Sequence, residues 1–182
     1  QFLAGTALGA IGLTAPRAAL AQPVTAPEEQ ARPLLHVPAR RRISLDGEWR
    51  YILDPFDAAR RGNNRRRTFW NALAPGPEGP LVEYDWQASP TIDLPRDWNS
   101  HAPELLWYDG PVYFRRTFTV KAEAGVRRFL AFEAVNYHAT IWLNAEKIAE
   151  HEGGFTPFAV DVTDRLRPGE NAITVCADSR HH

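Results

Sequence analysis

The chain of 182 residues has few or none of several residue types, and these shortages exclude whole classes of structure. It has a single cysteine, Cys176, which rules out an intramolecular disulfide and a cysteine-rich zinc site. Cys176 follows Ile173 and Val175 in a strand-like segment, so we interpret it as a passive thiol. Methionine is absent. No run of about 18 apolar residues occurs, so a membrane-spanning helix and a membrane partner are not predicted.

The chain also lacks an excess of positive or negative charge, because its formal net charge is only -1. Two runs of arginine, at 40–42 and 65–67, are locally basic. Acidic residues elsewhere cancel them and no nucleic-acid motif accompanies them, so we interpret them as solvated loop charge and expect no nucleic-acid partner. Hydrophobic residues make up 44% and charged residues 24%, which is typical of a globular protein with one domain plus an extension.

The first 40 residues differ in composition from the rest. Residues 1–21 are rich in alanine, glycine and leucine, contain no acidic residue and end in Ala19-Leu20-Ala21. They are typical of the remnant of an export signal peptide, and Gln1-Phe2-Leu3 resembles the part of a twin-arginine signal that follows the arginines. The alternative is a flexible, alanine-rich terminus. Residues 22–40 hold four prolines, which predicts an extended linker. We therefore expect a periplasmic or secreted protein with one folded domain at 41–180.

Short strand patterns separated by turn residues fill that domain. The predicted strands span 43–53, 91–94, 112–120, 127–135, 139–143, 155–160 and 172–178. Such strands, without a repeated helical pattern between them, indicate an all-β fold, an antiparallel β-sandwich. Residues 54–90 form a long insertion with at most a short helix at 58–73.

Residues 136–163 are the most informative segment. Two period-two patterns bracket a turn at Gly153-Gly154, where positive φ is tolerated. Ile141 and Leu143 are predicted to point to one face and Trp142 to the other. Asp161 is predicted to lie at a strand end.

Several short motifs stand in a fixed order along the chain. They are Leu45-Asp46-Gly47-Glu48-Trp49, Leu94-Pro95-Arg96-Asp97-Trp98-Asn99, the tyrosine-glycine-arginine segment 108–118, Gly153-Gly154-Phe155-Thr156-Pro157-Phe158, and Asp161-Val162-Thr163 with the segment 169–175. In this order, and over roughly residues 44–179, the chain resembles the N-terminal sugar-binding domain of glycoside hydrolase family 2, which includes β-glucuronidases, β-galactosidases and β-mannosidases. Ala145 and Ala149 depart from it, standing where the family usually has glycine.

The resemblance implies a jelly-roll-type sandwich like the galactose-binding domains. It also implies a parent enzyme that hydrolyses terminal β-linked sugars with retention, and the Gly153–Phe158 segment favours a β-glucuronidase-like activity. The two catalytic glutamates of the family lie on a downstream (β/α)8 barrel of about 250 residues. We expect this barrel to be absent from the chain, which by itself would then be inactive.

The implied partners are a β-glycoside substrate and downstream domains of the same polypeptide, and a homo-oligomer is compatible with the sequence. No cofactor is implied. Two alternatives remain open, a stand-alone carbohydrate-binding module and a purely structural domain that packs on the barrel. Glu133, Glu150 and Glu152 are interpreted as surface glutamates and not as a catalytic pair.

Asp161 is the one predicted substrate-binding residue. By motif position it matches a family aspartate that hydrogen-bonds a sugar hydroxyl, a task suited to a carboxylate. The alternative is an aspartate that caps the turn before Thr163. His138 and His151 lack a third clustered ligand, which favours structural roles. Four aromatic side chains can either stack on sugar rings or pack in the core: Trp98, Trp107, Tyr108 and Trp142.

Overall fold

The fold is known from a computed structural model that describes residues 41–61, 85–121 and 123–180. The predicted signal remnant, the proline-rich linker, the second arginine run and most of the 54–90 insertion lie outside the described residues. Within the described residues, no helix is long and apolar enough to cross a membrane.

The described residues form eight strands and almost no helix. The strands are β1 (Gly47–Leu53), β2 (Thr91–Leu94), β3 (Pro111–Val120), β4 (Phe129–Phe132), β5 (His138–Leu143), β6 (Glu146–Glu152), β7 (Phe158–Asp161) and β8 (Gly169–Asp178). A four-residue helix, α1 (Ala58–Arg61), and a 3₁₀ turn at Pro103–Leu105 complete the described elements. The predicted all-β class is confirmed, and α1 lies at the start of the short helix predicted in the insertion.

Antiparallel pairing joins six strands into one sheet, in the order β2-β1-β3-β8-β5-β6, and two strands into another, β4-β7. The central pair is β3 with β8, ten residues each, in register from Pro111 opposite Asp178 to Val120 opposite Gly169. The two sheets enclose the core, so the predicted antiparallel sandwich is confirmed.

The core lies between the sheets because one face of each central strand is apolar. Phe114, Ile141 and Ile173 of the large sheet are buried together with Leu130 and Phe158 of the small one. Side chains alternate between the faces of a strand, so the apolar residues at alternate positions of β3, β5 and β8 enter this core.

A second apolar cluster covers the other face of the large sheet. It contains Ile52, Trp86, Tyr113, Trp142 and Cys176. Cys176 is only 5% exposed, as expected for a passive thiol. Trp142 lies on the face opposite Ile141 and Leu143, as predicted. The central strands are therefore buried on both faces.

The turns differ from expectation in two places. β5 and β6 are joined by a two-residue turn in which both Asn144 and Ala145 have positive φ, of 51° and 72°. This is the pattern of a type I′ hairpin, which usually carries glycine at the second position. The predicted glycine turn exists between β6 and β7, where Gly153 has φ of 130°. Gly154 is required for a different reason, the lack of room for a side chain. A Cβ atom at this position would lie 2.5 Å from Oδ1 of Asn136.

Candidate functional site

Asp161 is the last residue of β7, as predicted, and its carboxylate is held by two neighbours. Oδ1 accepts hydrogen bonds from the backbone N–H of Thr163 at 3.0 Å and from its hydroxyl at 2.6 Å. Oδ2 accepts one from the Arg127 guanidinium at 2.6 Å. The Thr163 hydroxyl in turn accepts from the backbone N–H of Arg128 at 2.9 Å. The contacts with Thr163 are those expected of an aspartate that caps a turn, and the ion pair with Arg127 is an additional contact.

The electrostatics of this group follow from those contacts. The hydrogen bond from the Thr163 hydroxyl, followed by the one from Arg127, lowers the pKa of Asp161 from 3.8 to about 2. The carboxylate is therefore ionised at neutral and mildly acidic pH. Arg127 also lies over the ring of Phe129, with the guanidinium carbon 5.1 Å from the ring centre. Both partners of the ion pair are accessible, with side-chain exposures of 71% for Arg127 and 40% for Asp161.

Asp161 lies at one particular end of the sandwich, which we call the charged end: the end where β8 begins and β3 finishes. Arg128, next to Arg127, donates to the carbonyl of Lys121, the residue that follows β3. Four ion pairs lie at this end: Arg41–Glu123, Arg128–Glu123, Arg127–Asp161 and Arg165–Glu146. The Gly153-Gly154 turn lies beyond the other end of β7, whose four residues span roughly 10 Å.

Of the four aromatic candidates, only one presents its ring to solvent. Trp107 is 90% exposed, whereas Trp142 is 8% exposed and belongs to the second apolar cluster. Trp98 is half-buried against Phe114, with ring centres 6.1 Å apart. Tyr108 donates its hydroxyl to the carbonyl of Pro111 at 2.8 Å, and burial raises its pKa. Packing is therefore the observed role of three of them.

Within the described residues, the candidate histidines and glutamates lie at or near the surface or make packing contacts. His151 stacks on Phe158 with ring centres 4.0 Å apart, and its Nε2 lies 3.1 Å from the hydroxyl of Thr156. Glu150 and Glu152 are exposed on the edge strand β6, and Glu150 pairs with a lysine of the same strand. Across residues 41–61, 85–121 and 123–180, no group of three metal-ligating side chains comes together.

A small cavity of about 180 Å³ lies on the outer face of the large sheet. Its lining includes His138, Thr140, Lys147 and the buried Asp178. Asp178 is held by Arg180 through two hydrogen bonds, of 2.8 Å to Nε and 2.6 Å to a terminal guanidinium nitrogen. The cavity is smaller than the 300–1,000 Å³ of typical small-molecule sites, so it does not define a substrate pocket.

A family model described as glycosyl hydrolase 2 galactose-binding domain-like matches residues 83–182, more than half of the chain. The chain belongs to glycoside hydrolase family 2. The matched residues include β2 to β8, so the sandwich is the galactose-binding-like domain of this family.

The relatives of this family 2 domain are much longer than the chain. It is 29% identical over 144 residues to a β-glucuronidase of Paenibacillus borealis, covering 74% of this chain and 20% of that protein. It is 30% identical over 140 residues to the β-glucuronidase of Canis lupus familiaris, covering 72% and 20%. A solved β-glucuronidase of Faecalibacterium prausnitzii matches with a TM-score of 0.58 and 30% identity, over 77% of this chain and 21% of that one. The chain thus spans about a fifth of the length of these relatives.

Three structural residues of this family 2 domain were missed by the sequence analysis. Arg127 was not recognised as the partner of Asp161, because 34 residues separate them and only the β4–β7 pairing brings them together. Asp54 is fully buried and caps α1, accepting from two backbone N–H groups at 2.8 and 3.0 Å. The capping residue of a helix usually lies directly before its first turn, so local sequence did not single out Asp54, four residues before Ala58. Arg116 donates to three carbonyls of the opening motif, a contact without a local signal.

Proposed function

We propose that this chain is the non-catalytic sandwich domain of a longer, retaining β-glycosidase that acts on β-glucuronides. The observation that carries the proposal is the similarity to β-glucuronidases from a bacterium and a mammal, at about 30% identity across nearly three quarters of the chain. The Gly153–Phe158 segment, by its resemblance to β-glucuronidases, gives the same preference among family 2 activities. Catalysis would then come from two carboxyl groups outside this domain.

Asp161 is the residue of this domain proposed to contact the sugar. Oδ2 of Asp161 already accepts a hydrogen bond from the Arg127 guanidinium at 2.6 Å. A sugar hydroxyl that donates to Oδ2 would therefore have to share this oxygen with Arg127 or displace the guanidinium. The 71% exposure of Arg127 and the 40% exposure of Asp161 leave room for such an exchange. The carboxylate is ionised, so the bond would be charge-assisted. The capping contacts to Thr163 would remain in either case.

Export of the parent protein is a further part of the proposal. Residues 1–21 have the composition and the Ala19-Leu20-Ala21 site of an export signal. A periplasmic or secreted glycosidase would meet its glycosides outside the cytoplasm. Neither the domain nor the proposed hydrolysis requires a cofactor.

The experiment that tests the function is a substrate panel on the complete polypeptide. We expect kcat/KM to be highest for 4-nitrophenyl β-D-glucuronide, and lower for the β-D-galactoside and the β-D-mannoside. A clear preference for either of the other two sugars would contradict the glucuronidase proposal while leaving the family assignment intact. Activity on none of the three would favour a carbohydrate-binding or purely structural role.

The sugar contact of Asp161 is tested in the same assay with Asp161→Asn and Asp164→Asn. Asp164 is a matched control because it is an exposed aspartate only three residues away. If Asp161 binds the sugar, loss of a charge-assisted hydrogen bond of about 1.5–3 kcal/mol lowers kcat/KM roughly ten- to a hundredfold, and Asp164→Asn leaves it unchanged. An unchanged kcat/KM in both variants would leave Asp161 with its capping role alone.

A further inference from the structure

The carboxylate of Asp161 has one position left for a further hydrogen-bond donor. A carboxylate offers about four acceptor positions, two on each oxygen. Thr163 takes both positions of Oδ1, with its backbone N–H at 3.0 Å and its hydroxyl at 2.6 Å. Arg127 takes one position of Oδ2, at 2.6 Å. Within the described residues, the position that remains is the second one on Oδ2, and the exposure of the side chain leaves it accessible to a ligand.

The direction of this remaining position depends on Arg127. The terminal torsion of an aspartate side chain has a broad energy profile, so bonds to Oδ1 alone do not fix the plane of the carboxylate. Thr163 follows β7, whereas Arg127 precedes β4 on the neighbouring strand. The two oxygens of Asp161 are therefore held from two sides, and the second contact fixes the orientation of Oδ2.

Two features hold Arg127 beside the carboxylate. Its neighbour Arg128 donates its backbone N–H to the hydroxyl of Thr163 at 2.9 Å and accepts from the backbone N–H of Val162 at 2.9 Å. These bonds join the backbone before β4 to the loop after β7. The guanidinium carbon of Arg127 also lies 5.1 Å from the ring centre of Phe129, within the range of a cation–π interaction. Backbone and side chain thus place the guanidinium at the same spot.

The other arginine pairs of the charged end involve glutamates. Arg128 pairs with Glu123 at 3.5 Å, and Arg165 pairs with Glu146 at 3.7 Å. Of these three arginines, Arg127 is the one that pairs with the aspartate proposed to contact the sugar. Arg165, with a side chain 42% exposed, provides a matched control at the same end of the sandwich.

We propose that Arg127 is a positioning residue for the sugar contact of Asp161. It holds Oδ2 so that the remaining acceptor position faces an incoming sugar hydroxyl, and the hydroxyl shares this oxygen with the guanidinium. Displacement of the guanidinium would instead break a charge-assisted bond before the new one forms, which costs binding energy. This inference rests on the proposed function, in which Asp161 contacts the sugar.

The test compares kcat and KM of the complete polypeptide for 4-nitrophenyl β-D-glucuronide in four variants: Arg127→Met, Arg127→Lys, Arg165→Met and Asp161→Asn. Without the guanidinium, Oδ2 of Asp161 loses its fixed orientation. Arg127→Met should therefore lower kcat/KM about three- to tenfold, and the loss should be divided between kcat and KM as it is in Asp161→Asn. Arg127→Lys keeps a charged donor and should have an intermediate kcat/KM. Arg165→Met should leave kcat/KM unchanged.

A double variant separates positioning from an independent role of Arg127. If Arg127 acts through Asp161, adding Arg127→Met to Asp161→Asn lowers kcat/KM no further. Partial unfolding is distinguishable, because a smaller fraction of folded enzyme lowers the apparent kcat and leaves KM unchanged. We expect Arg127→Met to fold, since exposed ion pairs contribute little to stability.

Several results would overturn the proposal. A raised kcat/KM in Arg127→Met would mean that the guanidinium competes with the sugar. An unchanged kcat/KM in this variant, beside an impaired Asp161→Asn, would mean that Oδ2 needs no positioning, and the proposed sugar contact would stand. An equal loss from Arg127→Met in the wild-type and Asp161→Asn backgrounds would mean that Arg127 acts independently of Asp161.

Failure of the proposed function has a different signature. An unimpaired Asp161→Asn would refute the sugar contact itself, and the positioning role with it. If the complete polypeptide prefers the β-D-galactoside, the same variants are compared on that substrate. The expected pattern on the galactoside would refute only the glucuronidase proposal and would support the positioning role of Arg127.

Discussion

Replacing Asp161 tests how much its hydrogen bonds contribute to the sandwich. In Asp161→Ala both capping bonds to Thr163 and the ion pair with Arg127 are lost. The lowering of the pKa from 3.8 to about 2 corresponds at face value to about 2.4 kcal/mol. Because the side chain is 40% exposed, solvent screening reduces this to roughly 1 kcal/mol, and the lost capping adds about 1 kcal/mol. We expect a loss of about 2 kcal/mol for Asp161→Ala and about 1 kcal/mol for Asp161→Asn, which keeps the cap.

The assay is denaturant unfolding of the variants at pH 7 and at several pH values below 4. The folded pKa is lowered, so the ionised carboxylate contributes its stability above pH 3.8, and that contribution disappears as the pH falls toward 2. The difference between wild type and Asp161→Asn should therefore shrink over this window. Arg127→Met should show the same trend, and the coupling energy of the double mutant should stay below about 1 kcal/mol.

Two results would refute this reasoning. One is an Asp161→Ala variant as stable as the wild type at pH 7, since it would mean that the observed bonds contribute nothing. The other is a stability difference that does not change between pH 4 and pH 2, because the ionised carboxylate would then not be its source.

Three further predictions concern the turn, the thiol and the first residues. Ala145→Gly should stabilise the domain by about 0.5–1 kcal/mol because it relieves a positive φ, whereas Ala149→Gly within β6 should destabilise it; equal effects in denaturant unfolding would contradict this. Cys176 should react with Ellman's reagent only after unfolding, because it is 5% exposed, and fast labelling of the native protein would be inconsistent with the buried cluster. Mass spectrometry of the exported protein should show a start at Gln22, and a start at Gln1 or upstream of it would refute signal cleavage.

Most strands could be predicted because their apolar residues alternate. The alternating apolar residues are alanine, isoleucine and leucine in β5 and isoleucine, valine and alanine in β8, and both strands were expected. β6 was not, since it is an edge strand with the sequence Glu-Lys-Ile-Ala-Glu-His-Glu and its mostly exposed side chains give no alternating pattern. The strand leading to Asp161 begins at Phe158, three residues later than predicted, because the turn that starts at Gly153 extends through Pro157.

The site was less predictable than the fold. The position of Asp161 at a strand end followed from local sequence, but its ion pair with Arg127 depends on the pairing of β4 with β7. The separation between Asp161 and the Gly153-Gly154 turn also follows only from the three-dimensional path of β7. Asp161 follows Gly154 by only seven residues in the sequence, whereas the strand carries the two features to opposite ends of the sandwich. Exposure of Trp107 likewise reflects the bonds of its loop rather than its residue type.

The proposed function makes this chain the non-catalytic domain of a longer family 2 β-glucuronidase. Its most direct test is the rate of nitrophenol release from 4-nitrophenyl β-D-glucuronide by the purified 182-residue chain and by the complete polypeptide, at equal molar concentration. We predict hydrolysis by the complete polypeptide and only background release by the chain. Release by the chain that survives purification and rises in proportion to its concentration would contradict the claim, as would a complete polypeptide without activity on this substrate.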